Sequence, residues 1–208
     1  MGSVVVGHIR NASNPRGIPH EEVVAPKNRQ PFVRNGTIFA HNGVVRDRDQ
    51  VASSCLGGVR LQGVNDSEVL FLMLLRNLEH CSPDKAFEVT GHEIYDAWSK
   101  RQGRAPRGPY GALNVLFAPG PTDLWAFCSY READLSPSNQ KRLTGDTAKP
   151  FYEMAYLATL AEVVVASEPL DDNPSWKELG DGHYLHAQIV DGKVVCEAPK
   201  ALSIPRGT

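Results

Sequence analysis

The sequence predicts an α+β fold, and three observations carry that prediction. β-branched runs at 4–9 and 37–40 come early in the chain. Two stretches with apolar residues at helical spacing follow over 67–78 and 84–100. From residue 111 the pattern changes to short strands separated by Gly, Pro and Asp turns. Strands, a block of helices, then strands again is the order of an α+β chain rather than of repeating βαβ units. The 208 residues suit one domain with a sizeable core, and no repeat or boundary divides them, so 1–208 reads as a single domain.

The elements follow in order. Val4-Val5-Val6-Gly7-His8-Ile9 is a β-branched run of the kind that makes a buried strand. Residues 11–34 form a long polar loop with five prolines and glycines, Pro15, Gly17, Pro19, Pro26 and Pro31. Thr37-Ile38-Phe39-Ala40 is a strand, and Asn42-Gly43 after it is a turn signal. Residues 47–62 read as irregular. The first helix has Asn65 or Asp66 as its N-cap, and the second follows Ser82-Pro83 with Ala86, Phe87, Ile94, Ala97 and Trp98 on one face. Residues 101–109 are a basic Gly/Pro-rich loop. Strands at 111–117 and 124–130 make a hairpin through Ala118-Pro119-Gly120-Pro121-Thr122-Asp123. Residues 134–150 are polar, 163–167 read as a buried strand, and 176–179 as a short turn. A last hairpin joins 183–190 to 193–196 through Asp191-Gly192.

Composition narrows the function. Hydrophobic content of 41% and charged content of 22% are ordinary for a soluble globular chain. A formal charge of −2 gives no global attraction to nucleic acid or an anionic membrane, and no apolar run is long enough to span a bilayer. The basic cluster Lys100, Arg101, Arg104 and Arg107 has no interleaved aromatics, so it reads as a solvated loop. The four cysteines, Cys55, Cys81, Cys128 and Cys196, are scattered without a C-x-x-C pair, which points to free thiols in a reducing cytoplasm. None is flanked by an activating base; Cys128 lies in an apolar strand and reads as inert, and Cys55 is the most exposed in its context. His183 and His186, three apart on a strand, point to opposite faces, so no metal is expected.

Single residues offer chemistry, each beside a plainer reading. Arg10, just past a β-branched run, suits bidentate capture of a carboxylate, or is a surface arginine. Ser13 adds a hydroxyl to the same group, or caps a loop. Asn42 and Gly43 offer a side-chain amide and a close backbone N–H to a developing oxyanion, or form a hairpin turn. Asp66 offers a carboxylate to an ammonium, or caps a helix.

In order, Gly7-His8-Ile9-Arg10-Asn11-Ala12-Ser13, Asn28-Arg29-Gln30-Pro31-Phe32, Phe39-Ala40-His41-Asn42-Gly43 and Asn65-Asp66-Ser67-Glu68 resemble the class II glutamine amidotransferases, which are Ntn-hydrolase domains. Val165-Ala166-Ser167-Glu168-Pro169-Leu170-Asp171-Asp172 with Trp176 resembles the branch that contains stand-alone γ-glutamyl amidohydrolases, such as the one in ergothioneine synthesis and those that degrade glutathione. The resemblance covers almost the whole chain. It implies an αββα sandwich and a small-molecule substrate, glutamine or a γ-glutamyl compound, with no metal or organic cofactor. Arg10 would bind the substrate's α-carboxylate with Ser13 in support, Asp66 its α-amino group, and Asn42 and Gly43 would form the oxyanion hole. Ser167 and Glu168 would lie near the pocket.

The chain departs from that pattern at its start. The family's nucleophile is an N-terminal cysteine on a first strand upstream of His-x-Arg, whereas this sequence begins Met1-Gly2-Ser3. The expectation is a domain missing its first strands, with three explanations: a late start, a partner chain that completes the sheet, or a remnant that binds without turnover. All three predict exposed strand edges and a thinned core, and so poor solubility or self-association of the free chain. Two rival readings are a non-catalytic glutamine-sensing subunit and a plain structural module whose motifs are all caps and turns. Transfer of ammonia to a second substrate would need a partner that supplies the acceptor site.

Overall fold

The computed structural model describes residues 2–9, 17–100, 108–130 and 152–205. Among them the elements run α1 (His20–Val23), β1 (Phe32–Arg34), β2 (Thr37–Val45), α2 (Arg48–Cys55), α3 (Asp66–Leu78), α4 (Pro83–Ser99), β3 (Tyr110–Gly120), β4 (Asp123–Cys128), β5 (Ala155–Ala158), β6 (Val163–Ala166), β7 (Lys177–Glu178), β8 (His183–Val190), β9 (Lys193–Cys196) and β10 (Lys200–Ala201). The expected α+β class is what the chain adopts.

Two antiparallel sheets form. The larger has the order β1-β2-β3-β4-β8-β10, with β9 also paired to β8; the smaller has the order β6-β5-β7. Side-chain alternation divides the larger sheet into two faces. Phe39 and Val45 of β2, Leu113, Val115 and Phe117 of β3, and Phe127 of β4 pack with Val69, Leu70, Met73 and Leu74 of α3 and Phe87 and Ile94 of α4. Ala112, Ala126, Cys128 and Leu185 on the opposite face meet Tyr156, Val163 and Val165 of the small sheet. Among the described residues the layers are therefore helix, sheet, sheet.

Several elements differ from the sequence expectation. Residues 4–9 form no strand; Val4 N–H bonds to Pro121 O, and Val5 and Ile9 stay exposed. Asn42 and Gly43 do not turn: both lie inside β2, opposite Asn114 and Leu113 of β3. The region expected to be irregular contains α2, and residues 177–178 pair with β5 instead of turning. The strand at 163–166 is half-buried rather than buried. The hairpin turn between β3 and β4 is tighter than expected, since Gly120 already pairs with Asp123. The 134–150 segment and most of the basic loop lie outside the described residues.

Candidate functional site

The site is built where β2 passes the N-terminus of α3. The β2–β3 register shifts between Gly43 and Val45, a bulge of the kind that re-aims backbone groups at a strand end. At that point Val45 N–H donates to Asp66 Oδ2 at 2.6 Å. Asp66 is thus the first residue of α3 rather than its cap. Its charge suits the positive end of the helix dipole. Among the described residues nothing donates to its other oxygen, Oδ1.

Asn65 occupies the N-cap position without making a side-chain cap bond. Its amide donates instead to Asn28 O at 2.7 Å. Asn28 is fully buried and works as a hub: its Oδ1 accepts from Val64 N–H at 2.8 Å and its Nδ2 donates to Glu22 O at 2.6 Å. Glu68 closes the same loop by accepting Gln62 N–H at 2.7 Å and Gly63 N–H at 2.8 Å. A Cβ on Gly63 would lie 2.1 Å from Asn28 Oδ1, so glycine is required there.

Asn42 and His41 alternate faces. Asn42 is exposed and, among the described residues, its side-chain amide has no hydrogen-bond partner, so both N–H groups can serve a ligand. His41 points to the helix side and is buried. Its Nδ1 lies 3.0 Å from Ser67 Oγ and its Nε2 3.2 Å from Ala112 O. Burial pushes its pKa below the ordinary value of 6.5, with the Asp66 charge and the Ala112 carbonyl opposing in part. Gln30 takes the place of a strand partner: Oε1 accepts His41 N–H at 2.6 Å, and Nε2 donates to His41 O at 3.1 Å. Gly43 is obligatory by close approach, since a Cβ would sit 2.0 Å from Ala112 O and 2.7 Å from His41 Nε2.

The structure thus brings Asn42, Gly43 and Asp66 to one end of β2. Arg10 and Ser13 lie outside the described residues. Ser167 and Glu168 are exposed beyond β6 and, among the described residues, bond to none of the three. A separate groove at the opposite end of β2 is lined by Arg34, Thr37, Leu72, Leu75 and Pro119. Gln30, His41 and Ser67 lie within the sequence motifs, but nothing in the sequence alone gives them a role. Their position inside the same blocks as Asn42 and Asp66 was the available signal.

The thiols of Cys55, Cys128 and Cys196 fit no activated nucleophile. Burial is the first cause raising the thiols of Cys55 and Cys196, and Cys128 is fully buried. Cys55 is half-buried rather than exposed, and none of the four is in a disulfide. No group of three His, Cys, Asp or Glu among the described residues is placed to hold a metal. His186 is held by Asp123 (2.7 Å) and stacks on Trp125. No helix of the described residues is long and apolar enough to cross a membrane.

Among solved structures, the chain is similar to a glutamine aminotransferase class-II domain protein from Silicibacter pomeroyi, at 23% identity and a TM-score of 0.58, covering 86% of this chain and 73% of that one. It is also similar to the glutamine phosphoribosylpyrophosphate amidotransferase of B. subtilis, at 18% identity and a TM-score of 0.48, covering 81% of this chain and 31% of that one. An allosteric regulatory enzyme of purine biosynthesis matches at 18% identity and a TM-score of 0.47, with 83% and 31% covered. At such identities the likeness is one of fold, the Ntn-hydrolase type, and the two lower scores add nothing to it. No curated protein matches the chain. The family model for glutamine amidotransferases class-II matches residues 1–204, and the chain belongs to that family.

Proposed function

We propose that this chain, acting as a single domain, binds the γ-glutamyl head of glutamine or of a γ-glutamyl compound and stabilises the oxyanion formed when its side-chain amide is cleaved. One observation carries the reading. The Asn42 amide and Asp66 Oδ1, a donor pair and a charged acceptor, are both without described partners at the same end of β2. Asp66 takes the substrate's ammonium, Arg10 its α-carboxylate with Ser13 beside it, and Asn42 and Gly43 receive the oxyanion. In the reaction, a thiolate attacks the γ-carbonyl carbon, and the tetrahedral intermediate expels ammonia or an amine, which takes up a proton. Water then cleaves the γ-glutamyl thioester to the free acid and thiol. Gripping both ends of the amino-acid head fixes the carbonyl for that attack.

The attacking thiol is not assigned to Cys55, Cys81, Cys128 or Cys196. The burial of Cys55, Cys128 and Cys196 favours a second reading, binding without turnover by this chain, as in a glutamine-sensing subunit. Calorimetry with L-glutamine, alongside an ammonia assay, tests both. Saturable one-site binding that weakens about ten- to hundredfold in Asp66→Asn and Arg10→Ala supports the site, from the worth of a charged hydrogen bond. Ammonia release distinguishes the enzyme from the sensor. Affinity unchanged in both variants would sink the assignment.

A further inference from the structure

We propose that Gln30, Ser67 and His41 form a directed hydrogen-bond relay, with His41 a positioning residue that holds Asn42 and Gly43 against the N-terminus of α3. As a statement about catalysis or binding, this rests on the site reading above.

The direction of each bond follows from the partners. Ala112 O can only accept, so His41 Nε2 carries the proton at 3.2 Å. Gln30 Oε1 accepts His41 N–H, which fixes the amide so that its nitrogen faces Ser67. Gln30 Nε2 then donates to Ser67 Oγ at 3.3 Å. The Ser67 hydroxyl proton is directed to His41 Nδ1 at 3.0 Å, which therefore accepts. Both ring nitrogens are used, and the imidazole is neutral in the Nε2–H form.

The consequence is positional. Ser67 follows Asp66 on α3 and His41 precedes Asn42 on β2. The Ser67–His41 bond and the bond from Val45 N–H to Asp66 Oδ2 bracket Asn42 and Gly43 on both sides. Gly43 leaves the space that the His41–Ala112 bond occupies. Removing the Ser67 hydroxyl leaves buried Nδ1 without a donor and frees the ring to turn.

Long-range ¹⁵N–¹H correlation on the full histidine-labelled chain reads the tautomer, and amide spectra of Ser67→Ala read the site. The expected result is neutral Nε2–H at His41 at pH 7. In Ser67→Ala the Asn42 and Gly43 amide resonances should move and L-glutamine should bind about tenfold more weakly. Ser67→Thr, which keeps the hydroxyl, should restore both. An Nδ1–H tautomer or an imidazolium in the wild type overturns the relay. So does a Ser67→Ala protein with unmoved Gly43 resonance. If Ser67→Ala does not fold, the wild-type tautomer decides alone. If the wild type binds no glutamine, the site reading fails, while tautomer and amide shifts still judge the relay.

Discussion

Replacing Gly43 with alanine tests the geometry of the site at its tightest point. The added Cβ would lie 2.0 Å from Ala112 O, and ordinary contact begins near 3.4 Å, so the strands must separate by about 1.4 Å. The obstructing atom is backbone of β3, which is paired on both sides, to β2 and to β4. Neither strand can yield without disturbing a second ladder. Overpacking of this kind costs roughly 1–3 kcal/mol. The same Cβ meets His41 Nε2 at 2.7 Å and displaces its bond to Ala112 O. Leaving that buried pair unmade costs roughly another 1–3 kcal/mol. A total of about 2–6 kcal/mol lowers the melting temperature of a domain this size by about 4–24 °C. Urea unfolding followed by circular dichroism gives the free energy directly. Gly120→Ala is the control, since a Cβ there meets nothing within 4 Å. A Gly43→Ala protein within about 0.5 kcal/mol of wild type, like an ordinary surface change, would show that the Ala112 carbonyl does not confine this position.

Three further outcomes are expected. Asn28→Ala removes side-chain bonds to Val64 N–H and Glu22 O from a fully buried position, and should cost roughly 2–4 kcal/mol in urea unfolding; a loss below about 0.5 kcal/mol would count against Asn28 as the hub of the loop. Because burial holds the His41 pKa below 6.5, the unfolded chain binds more protons between the folded pKa and 6.5. His41 therefore leaves stability unaffected above that window, and stability drops as pH falls through it. Urea midpoints in wild type should fall from pH 7 to 5.5 more steeply than in His41→Gln, and equal slopes would contradict this. Cys55 and Cys196, with thiols raised chiefly by burial, should react with a disulfide reagent at pH 7 more slowly than a free thiol, and faster only in urea; equal native and unfolded rates would contradict that.

The sequence was legible where local chemistry and long-range packing agree. α3 and α4 have strong apolar stripes, and their ends lie within a residue of the expected ones. The β8–β9 hairpin turns at Asp191 and Gly192, with φ of 51° and 74°, the left-handed pair that an Asp-Gly turn provides. Legibility failed where the partner is distant. Asn42-Gly43 is a hairpin signal locally, but β3 supplies a ladder partner for both residues, and pairing overrides turn propensity. α2 was missed because Val51 is its one fully buried side chain, too little for a periodic signal. The β-branched run at 4–9 has strand propensity, yet propensity makes no strand without a ladder. Asn42, Gly43 and Asp66 stood out as candidates because the motif order set them apart from ordinary caps and turns. The Gln30–Ser67–His41 relay was not, because three polar residues reveal their hydrogen bonds only once β2 lies against α3.

Titrating L-glutamine into the ¹⁵N-labelled chain, with amide shifts mapped by residue, reads whether the amino-acid head docks where β2 meets α3. Saturable shifts centred on Asn42, Gly43 and Asp66, at the Val45 end of β2, are the expected result. No shifts, or shifts centred on the groove between Arg34, Leu72 and Pro119 at the other end, would contradict it.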